Sequence, residues 1–270
     1  MSYPRRVNPR QISVRDAFDR HAETYDERFS NHELGETIRS DVWKITDPIF
    51  ASARNLLDLG SGTGEDALHY AARDMRVTAV DISDQMLGRL KSKAIDAGVA
   101  AKLQYVRSEM NQYRPEHMQF DAVISNFGAV NCLLDLNWIP DLCRVALKPG
   151  APLVLTGMGV FYPFESAALF LSGHFGSVFR RLQRPCTVSV EGVSIPVYYH
   201  TLRSMRRMLG KQFHLECVEG LRAFLPVPGW DHVSHAKVLQ WLDPLDRLWC
   251  RFRWTAPLAD HFVTVLRYRP

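Results

Sequence analysis

The chain has few cysteines, no block of like charge and no long uninterrupted apolar run, and each absence closes off a class of function. Its five cysteines, Cys132, Cys143, Cys186, Cys217 and Cys250, are odd in number and widely spaced. None forms a C-x-x-C pair, so no zinc site or dithiol centre is expected and no metal is assigned. Reduced, buried thiols fit a cytoplasmic protein. The net charge is +4, with both signs interspersed. A nucleic-acid partner calls for clustered basic residues, so none is expected. The opening residues MSYPRRVNPR carry charge without an apolar run behind it and do not read as a signal peptide. The most apolar stretch, residues 151–173, is broken by Pro152, Pro163 and Glu165. A membrane span needs about 20 predominantly apolar residues, so no integral membrane segment is expected.

What is present is the composition of a globular protein. Hydrophobic residues make up 46% of the 270, enough for one large α/β domain with an insertion or small lid. Residues 11–48 read as helical. Ala17, Phe18, Ala22 and Tyr25 fall at helical spacing, then Leu34, Ile38, Val42 and Ile45 share a face behind a candidate N-cap at Asn31. Pro48 is expected to end that helix. From Asn55 the period alternates. Short apolar strands are expected at 55–59, 76–80, 103–106, 120–124 and 153–156, with helices at 65–73, 84–97 and 137–147. This rhythm implies a parallel sheet covered on both faces. After Gly157 it breaks. A hairpin is expected around Glu191-Gly192, a helix at 201–209, and strands at 214–219 and 261–267.

The strongest motif is Leu56-Leu57-Asp58-Leu59-Gly60-Ser61-Gly62-Thr63-Gly64, a strand running through a glycine turn into a helix. Glycines there permit positive φ and close backbone approach to a ligand, in the crevice where open α/β sheets bind. Two cofactor classes use such a turn. The dinucleotide fingerprint G-x-G-x-x-G would need a third glycine at position 65, which is Glu65, followed by Asp66. Two carboxylates opening the helix oppose a pyrophosphate but not S-adenosyl-L-methionine (SAM), which has no phosphate and is cationic at sulfur and nitrogen. They could equally just complement the helix dipole. Asp81 follows Gly64 by 17 residues and ends the second strand, where a carboxylate can hold a ribose diol or simply start a turn. Ile82 and Met86 offer apolar contacts suited to an adenine ring.

These residues resemble the class I SAM-dependent methyltransferases. The match runs through Asp58–Gly64, Ala79–Ser83 with Met86, Ser108-Glu109-Met110, Phe120–Ile124 and Leu147–Ala151. Ala17-Phe18-Asp19 with Ala22 and Tyr25-Asp26 looks like the cap helix of small-molecule members. The likeness covers residues 15–157 well and the last strands loosely. It implies a Rossmann-like, doubly wound seven-stranded sheet of order 3-2-1-4-5-7-6, with its strand near 261–267 antiparallel. Cap helices would occupy 1–48 and the catalytic domain 49–270, with lid insertions at about 158–200 and 225–259. It implies SAM as cofactor, with Gly60, Ser61 and Gly62 at its methionine part. Asp58 would support the ammonium, Asp81 the ribose, Glu109 and Met110 the adenine, and Asn126 the methionine end, with Tyr25 closing over the site. Glu109 stands where the family often has Asp.

The acceptor is less legible. Ser125-Asn126-Phe127-Gly128 lacks the Asn/Asp-Pro-Pro-Tyr/Phe pattern of base methylation, which points to a small-molecule acceptor. Aromatics Phe161, Tyr162, Phe164, Phe170, Tyr198, Tyr199, Trp230, Trp241 and Trp249 in the lid segments suggest an apolar or planar acceptor, or plain packing. His174, His200, His232 and His235 are more readily structural than a general base. Arg180, Arg181 and Arg184 read as a solvated helix face, with steering of an anionic substrate or contact with a membrane surface as the alternatives. No catalytic residue is assigned. A non-catalytic SAM-binding protein stays open. A nicotinamide oxidoreductase is disfavoured by Glu65 and by the lack of a Tyr-x-x-x-Lys pair.

Overall fold

The computed structural model describes residues 9–117, 119–183, 185–227 and 241–270. Strand β1 (Asn55–Leu59) lies at the centre of the main sheet, between β2 (Arg76–Asp81) and β4 (Ala122–Ser125), parallel to both. Strand β3 (Leu103–Arg107) continues the parallel array beyond β2, and β5 (Pro152–Met158) beyond β4. The last strand, β9 (His261–Tyr268), pairs antiparallel with β5 and with β8 (Phe213–Leu221). The order is therefore β3-β2-β1-β4-β5-β9-β8. Counting only strands of this sheet, it is the expected 3-2-1-4-5-7-6. Strands β6 (Cys186–Val190) and β7 (Val193–Val197) form a separate antiparallel ribbon.

Because strand side chains alternate, β1 feeds two cores. Leu57 and Leu59 pack on one face with Val123 and Leu155, beneath helices α5 (Trp138–Ala146) and α7 (Leu202–Leu209). Leu56 packs on the other with Val77, Ile124 and Val154. There it meets α2 (Glu33–Phe50), α3 (Glu65–Ala71) and α4 (Asp84–Asp96). Caps set the helix starts. The Ser83 hydroxyl accepts from the Met86 N–H at 3.1 Å, and Thr201 from Ser204 at 3.0 Å.

Helix α1 (Pro9–His21) and α2 form the cap, joined through a π-helical turn at Asp26–Ser30. Two expectations are corrected here. The N-cap of α2 is His32, whose Nδ1 accepts from Leu34 N at 3.2 Å, not Asn31. Pro48 does not end α2, which continues to Phe50. Phe50 is fully buried edge-on to Tyr70, with ring centroids 5.3 Å apart, and this packing sustains the last turn past the proline.

The hairpin turns at Glu191 (φ +46°) and Gly192 (φ +75°), the two positive dihedrals a type I′ turn requires. Helix α6 (Pro163–Leu171) precedes the hairpin, and α8 (Asp243–Arg251) lies against β8. Asp246 of α8 accepts from the N–H groups of Ala223 and Phe224 at 2.7 and 2.6 Å. Trp230, His232, His235 and Arg184 lie outside the described residues. Among the described residues, no helix is long and apolar enough to cross a membrane.

Candidate functional site

The glycine turn is locked onto the neighbouring strand. Gly60 N and Ser61 N both donate to Val80 O, at 2.8 and 3.1 Å. Gly60, Gly62 and Gly64 have φ of +73°, +55° and +85°. Their roles differ. A Cβ at Gly60 would come within 2.4 Å of Ala129 Cβ, and one at Gly64 within 2.0 Å of Leu90 Cδ1. A Cβ at Gly62 would meet nothing within 4 Å. The outer glycines let the loop pack, while the middle one leaves ligand space open. Asp81 closes the same corner. Its Oδ2 accepts from Gly62 N at 2.8 Å and its Oδ1 from Ser83 N at 2.9 Å. Burial raises its carboxyl above the usual range, partly offset by those backbone donors.

Above this corner is a cavity of about 580 Å³, within the roughly 300–1,000 Å³ of ligand pockets. It collects Tyr25, Gly60, Ser61, Gly62, Asp81, Ile82, Met86, Glu109, Met110 and Asn126, from the cap and from loops after β1, β2, β3 and β4. Asp58 is the expected residue that does not line it. It is 2% exposed, and its Oδ2 has no hydrogen-bond partner. Burial, then the neighbouring Asp66 and Asp81 carboxylates, push its carboxyl well above the ordinary value. Ser61 Oγ is likewise buried without a partner. Ser61 lines the cavity, and an unsatisfied buried group there marks a place where a ligand or water completes the bonding. Tyr25 stays a neutral phenol because burial raises its pKa, and its ring packs against His21 and Phe29 at 5.2 and 5.7 Å.

The acidic first turn of α3 is not left to the helix dipole. Glu65 pairs with Lys93 at 2.6 Å, and Lys93 also reaches Asp26 at 2.9 Å. Thr63 Oγ1 donates to Asp26 Oδ1 at 2.5 Å, which ties the cap to the glycine turn. Asp66 is buried and accepts from Trp43 Nε1 at 2.7 Å, Asn126 Nδ2 at 3.0 Å and Arg39 Nη1 at 3.4 Å. Asn126 also accepts from Phe127 N at 2.9 Å, so both ends of its amide are engaged by protein. Arg39 was not singled out from sequence. It is 5% exposed, lines the cavity, lies 4.3 Å over the Phe127 ring, and keeps a buried Nε without a partner. Its signal was present: an arginine inside the Ile38–Val42 stripe of α2 has to find a partner indoors.

The opposite wall comes from the β4–α5 connection, the end of β5 and the hairpin. Cys132, Trp138, Met158, Val188, Ile195, Val197, Tyr198 and Tyr199 line it. Burial, reinforced by Asp81, pushes the Cys132 thiol up to about 12, so it is neutral at pH 7. From residues 225–259 none of the described side chains reaches the cavity. Of the other lid aromatics, Tyr162 is buried and donates to Leu225 O at 2.5 Å, while Phe161 stacks on Phe179. Phe170 and Trp241 are exposed, and Trp249 packs edge-on to Phe224. His200 bonds Leu133 O at 3.0 Å, and His174 starts a short turn away from the cavity lining.

Of the arginines expected on a solvated face, Arg181 is instead buried. Arg181 is 7% exposed and lines the cavity with Arg180. Its Nε donates to Glu165 Oε2 at 2.8 Å and its Nη2 to Asp260 Oδ1 at 2.6 Å. Two buried carboxylates recruited it indoors, a tertiary match invisible in the local pattern.

Residues 56–150 match the family model of a methyltransferase domain. Over 148 residues the chain is 27% identical to tRNA 5-carboxymethoxyuridine methyltransferase of Escherichia coli (strain K12), covering 51% of this chain and 54% of that protein. It is 32% identical over 149 residues to the ubiquinone/menaquinone biosynthesis C-methyltransferase UbiE of Brucella anthropi, covering 52% and 55%. The chain thus spans about half the length of the curated relatives it matches. A solved structure of geranyl diphosphate C-methyltransferase from Streptomyces coelicolor A3(2) superposes with a TM-score of 0.62, over 99% of this chain and 100% of that one. At 13% identity this is a likeness of fold. Residues 56–150 thus match a methyltransferase domain, and the sheet order around them is that of the Rossmann-like methyltransferase fold.

Proposed function

We propose that this protein is an enzyme that transfers the methyl group of SAM to an oxygen, nitrogen or carbon atom of a small, largely apolar acceptor. One observation carries the reading. Gly62 and Asp81, at the carboxyl ends of adjacent strands, share a cavity with an apolar wall built by the hairpin. When bound, SAM supplies a methyl group already activated by its sulfonium. The protein's task is to hold, orient and desolvate.

The residues present fit that cofactor. Asp81 presents to the ribose hydroxyls the lone pairs not taken by Gly62 and Ser83. Gly60, Ser61 and Gly62 pass along the methionine part. Asp58, with an unpartnered oxygen and two carboxylate neighbours, answers the ammonium through water. Arg39 is the buried cation suited to the methionine carboxylate. Ile82 and Met86 pack on the adenine, with Glu109 accepting from its amino group and the Met110 amide donating. Asn126 positions Asp66 and the Phe127 turn. Tyr25 closes the cap side. No general base is assigned, since Cys132 and Tyr25 are neutral at pH 7. The apolar wall favours a small acceptor over a polynucleotide. Equilibrium dialysis with labelled SAM and labelled NAD tests the cofactor: retention of SAM alone supports the reading, and retention of NAD alone rejects it.

A further inference from the structure

Arg180 and Arg181 belong to the short turn Arg180–Leu182, and both line the cavity on its hairpin wall. That wall stands beyond Met158 at the carboxyl end of β5, across from the glycine turn at the end of β1. The two arginines differ in what they have left to give. Arg181 is committed. Besides its bonds to Glu165 and Asp260, its Nη1 donates to the carbonyls of Gly159 and Asp260, each at 3.3 Å. Its guanidinium sits 5.0 Å from the Tyr162 ring and 5.3 Å from the Tyr199 ring. Arg180 donates through Nη2 to Glu165 Oε1 at 2.5 Å. Among the described residues its Nε and Nη1 have no partner, and its side chain is 37% exposed.

We propose that Arg180 is a specificity residue that binds a carboxylate carried by an otherwise apolar acceptor. The proposal rests on the methyltransferase reading, which makes this wall the acceptor's side. Glu165 is shared with Arg181, so it only partly neutralises Arg180. The same cavity is also lined by the apolar side chains of Val188, Ile195, Val197 and Met158. An arginine with open donors in such a cavity forms strong charge-assisted bonds to an oxyanion. Arg180 and Arg181 face Glu165 and Asp260, with His261 on Asp260 Oδ2 at 2.7 Å. A cluster so nearly balanced tolerates one added negative charge better than two, which favours a carboxylate over a phosphate. Asp135, also in the lining, is engaged with the Asn137 N–H at 3.1 Å.

The test uses titration calorimetry on the full chain, with and without saturating S-adenosylhomocysteine. The probes are octanoate and 2-naphthoate, their amides, and octyl phosphate. At least one carboxylate should bind about ten-fold tighter than its amide, the scale of hydrogen bonds to a charged group. R180Q, which keeps a donor for Glu165, should abolish that preference while amide and S-adenosylhomocysteine affinities hold within about two-fold. R180K should retain part of it. Amides binding as well as carboxylates, no probe binding, or a preference that survives in R180Q would each overturn the proposal. Octyl phosphate binding tighter than octanoate would overturn the carboxylate assignment. Failure of S-adenosylhomocysteine to bind would instead count against the methyltransferase reading, because the carboxylate preference is also measured without it.

Discussion

At the scale of single residues, the glycine turn separates stability from binding. Gly64→Ala drives a methyl group into Leu90, and overpacking of this kind costs about 1–3 kcal/mol, with positive φ adding about 1–2 kcal/mol. Its melting temperature should fall first. Gly62→Ala has room for its methyl group, so only the φ penalty of about 1–2 kcal/mol applies to folding. Its methyl group enters the ligand space, and SAM affinity should fall by more than the melting temperature implies. Calorimetry beside thermal melting distinguishes the two. Asp81→Ala should weaken SAM binding by about 1.5–3 kcal/mol, the range for lost hydrogen bonds to a charged group. Asp81 also anchors Gly62 and Ser83, so Asp81→Asn is the companion variant, expected to lose less. Unchanged affinity in both would remove Asp81 from the ribose role.

At the scale of elements, the hairpin is held at two ends. Its turn residue Glu191 accepts from Arg28 at 2.6 Å and bonds His21 at 3.1 Å, linking it to the cap. Arg28 is exposed, and such pairs contribute about 0–1 kcal/mol. Glu191→Gln should therefore leave the melting temperature nearly unchanged and instead speed SAM release in stopped-flow measurements. An unaltered release rate would mean the cap and hairpin do not gate the cofactor. The other anchor is the buried Glu165–Arg181–Asp260 cluster. Burial pushes the Asp260 carboxyl up, but His261 and Arg181 outweigh it and hold the group well below the usual carboxylate range. Glu165 is also lowered, because its two arginines outweigh burial. A carboxylate depressed in the folded state stabilises fully above its unfolded pKa of about 4, and loses that contribution as pH falls through the folded value. Asp260→Asn should cost about 3–5 kcal/mol at pH 7, as for other broken buried pairs. It should also show a shallower loss of stability below about pH 4. Parallel slopes for wild type and variant would show that Asp260 does not titrate differently on folding.

At the scale of the whole molecule, SAM bound as proposed would bridge elements that are distant in sequence. The cavity draws on the cap, the loops after β1 to β4, β5 and the hairpin. A ligand that binds only this assembled state stabilises it by about 2.7 kcal/mol at a hundred-fold excess over its Kd. For a chain of this size that corresponds to a rise of roughly 5–10 °C in melting temperature, at about 2–4 °C per kcal/mol. NAD at equal concentration should produce none. A matching shift with NAD would argue that the turn reads nucleotides generally.

Local sequence determined the central sheet and the cofactor corner. The run 55–64, Asp81 and the β–α rhythm act through short-range physics: alternation, capping, and glycine φ. That physics survives without knowledge of the partners, so the strands and the corner of Gly60, Gly62 and Asp81 could be read in advance, while the strand order and the places of Tyr25, Glu109, Met110 and Asn126 came from the family resemblance. The hairpin around Glu191-Gly192 was legible for the same reason. What tertiary structure alone decided are matches between distant charges and distant surfaces. Arg39 meets Asp66 across 27 residues, and Arg181 meets Asp260 across 79. α2 runs past Pro48 because Phe50 finds Tyr70. The hairpin, rather than any described part of 225–259, covers the cavity. A buried charge is tolerated only where its counter-charge arrives, and that arrival is set by the packing of the whole chain rather than by the residues beside it.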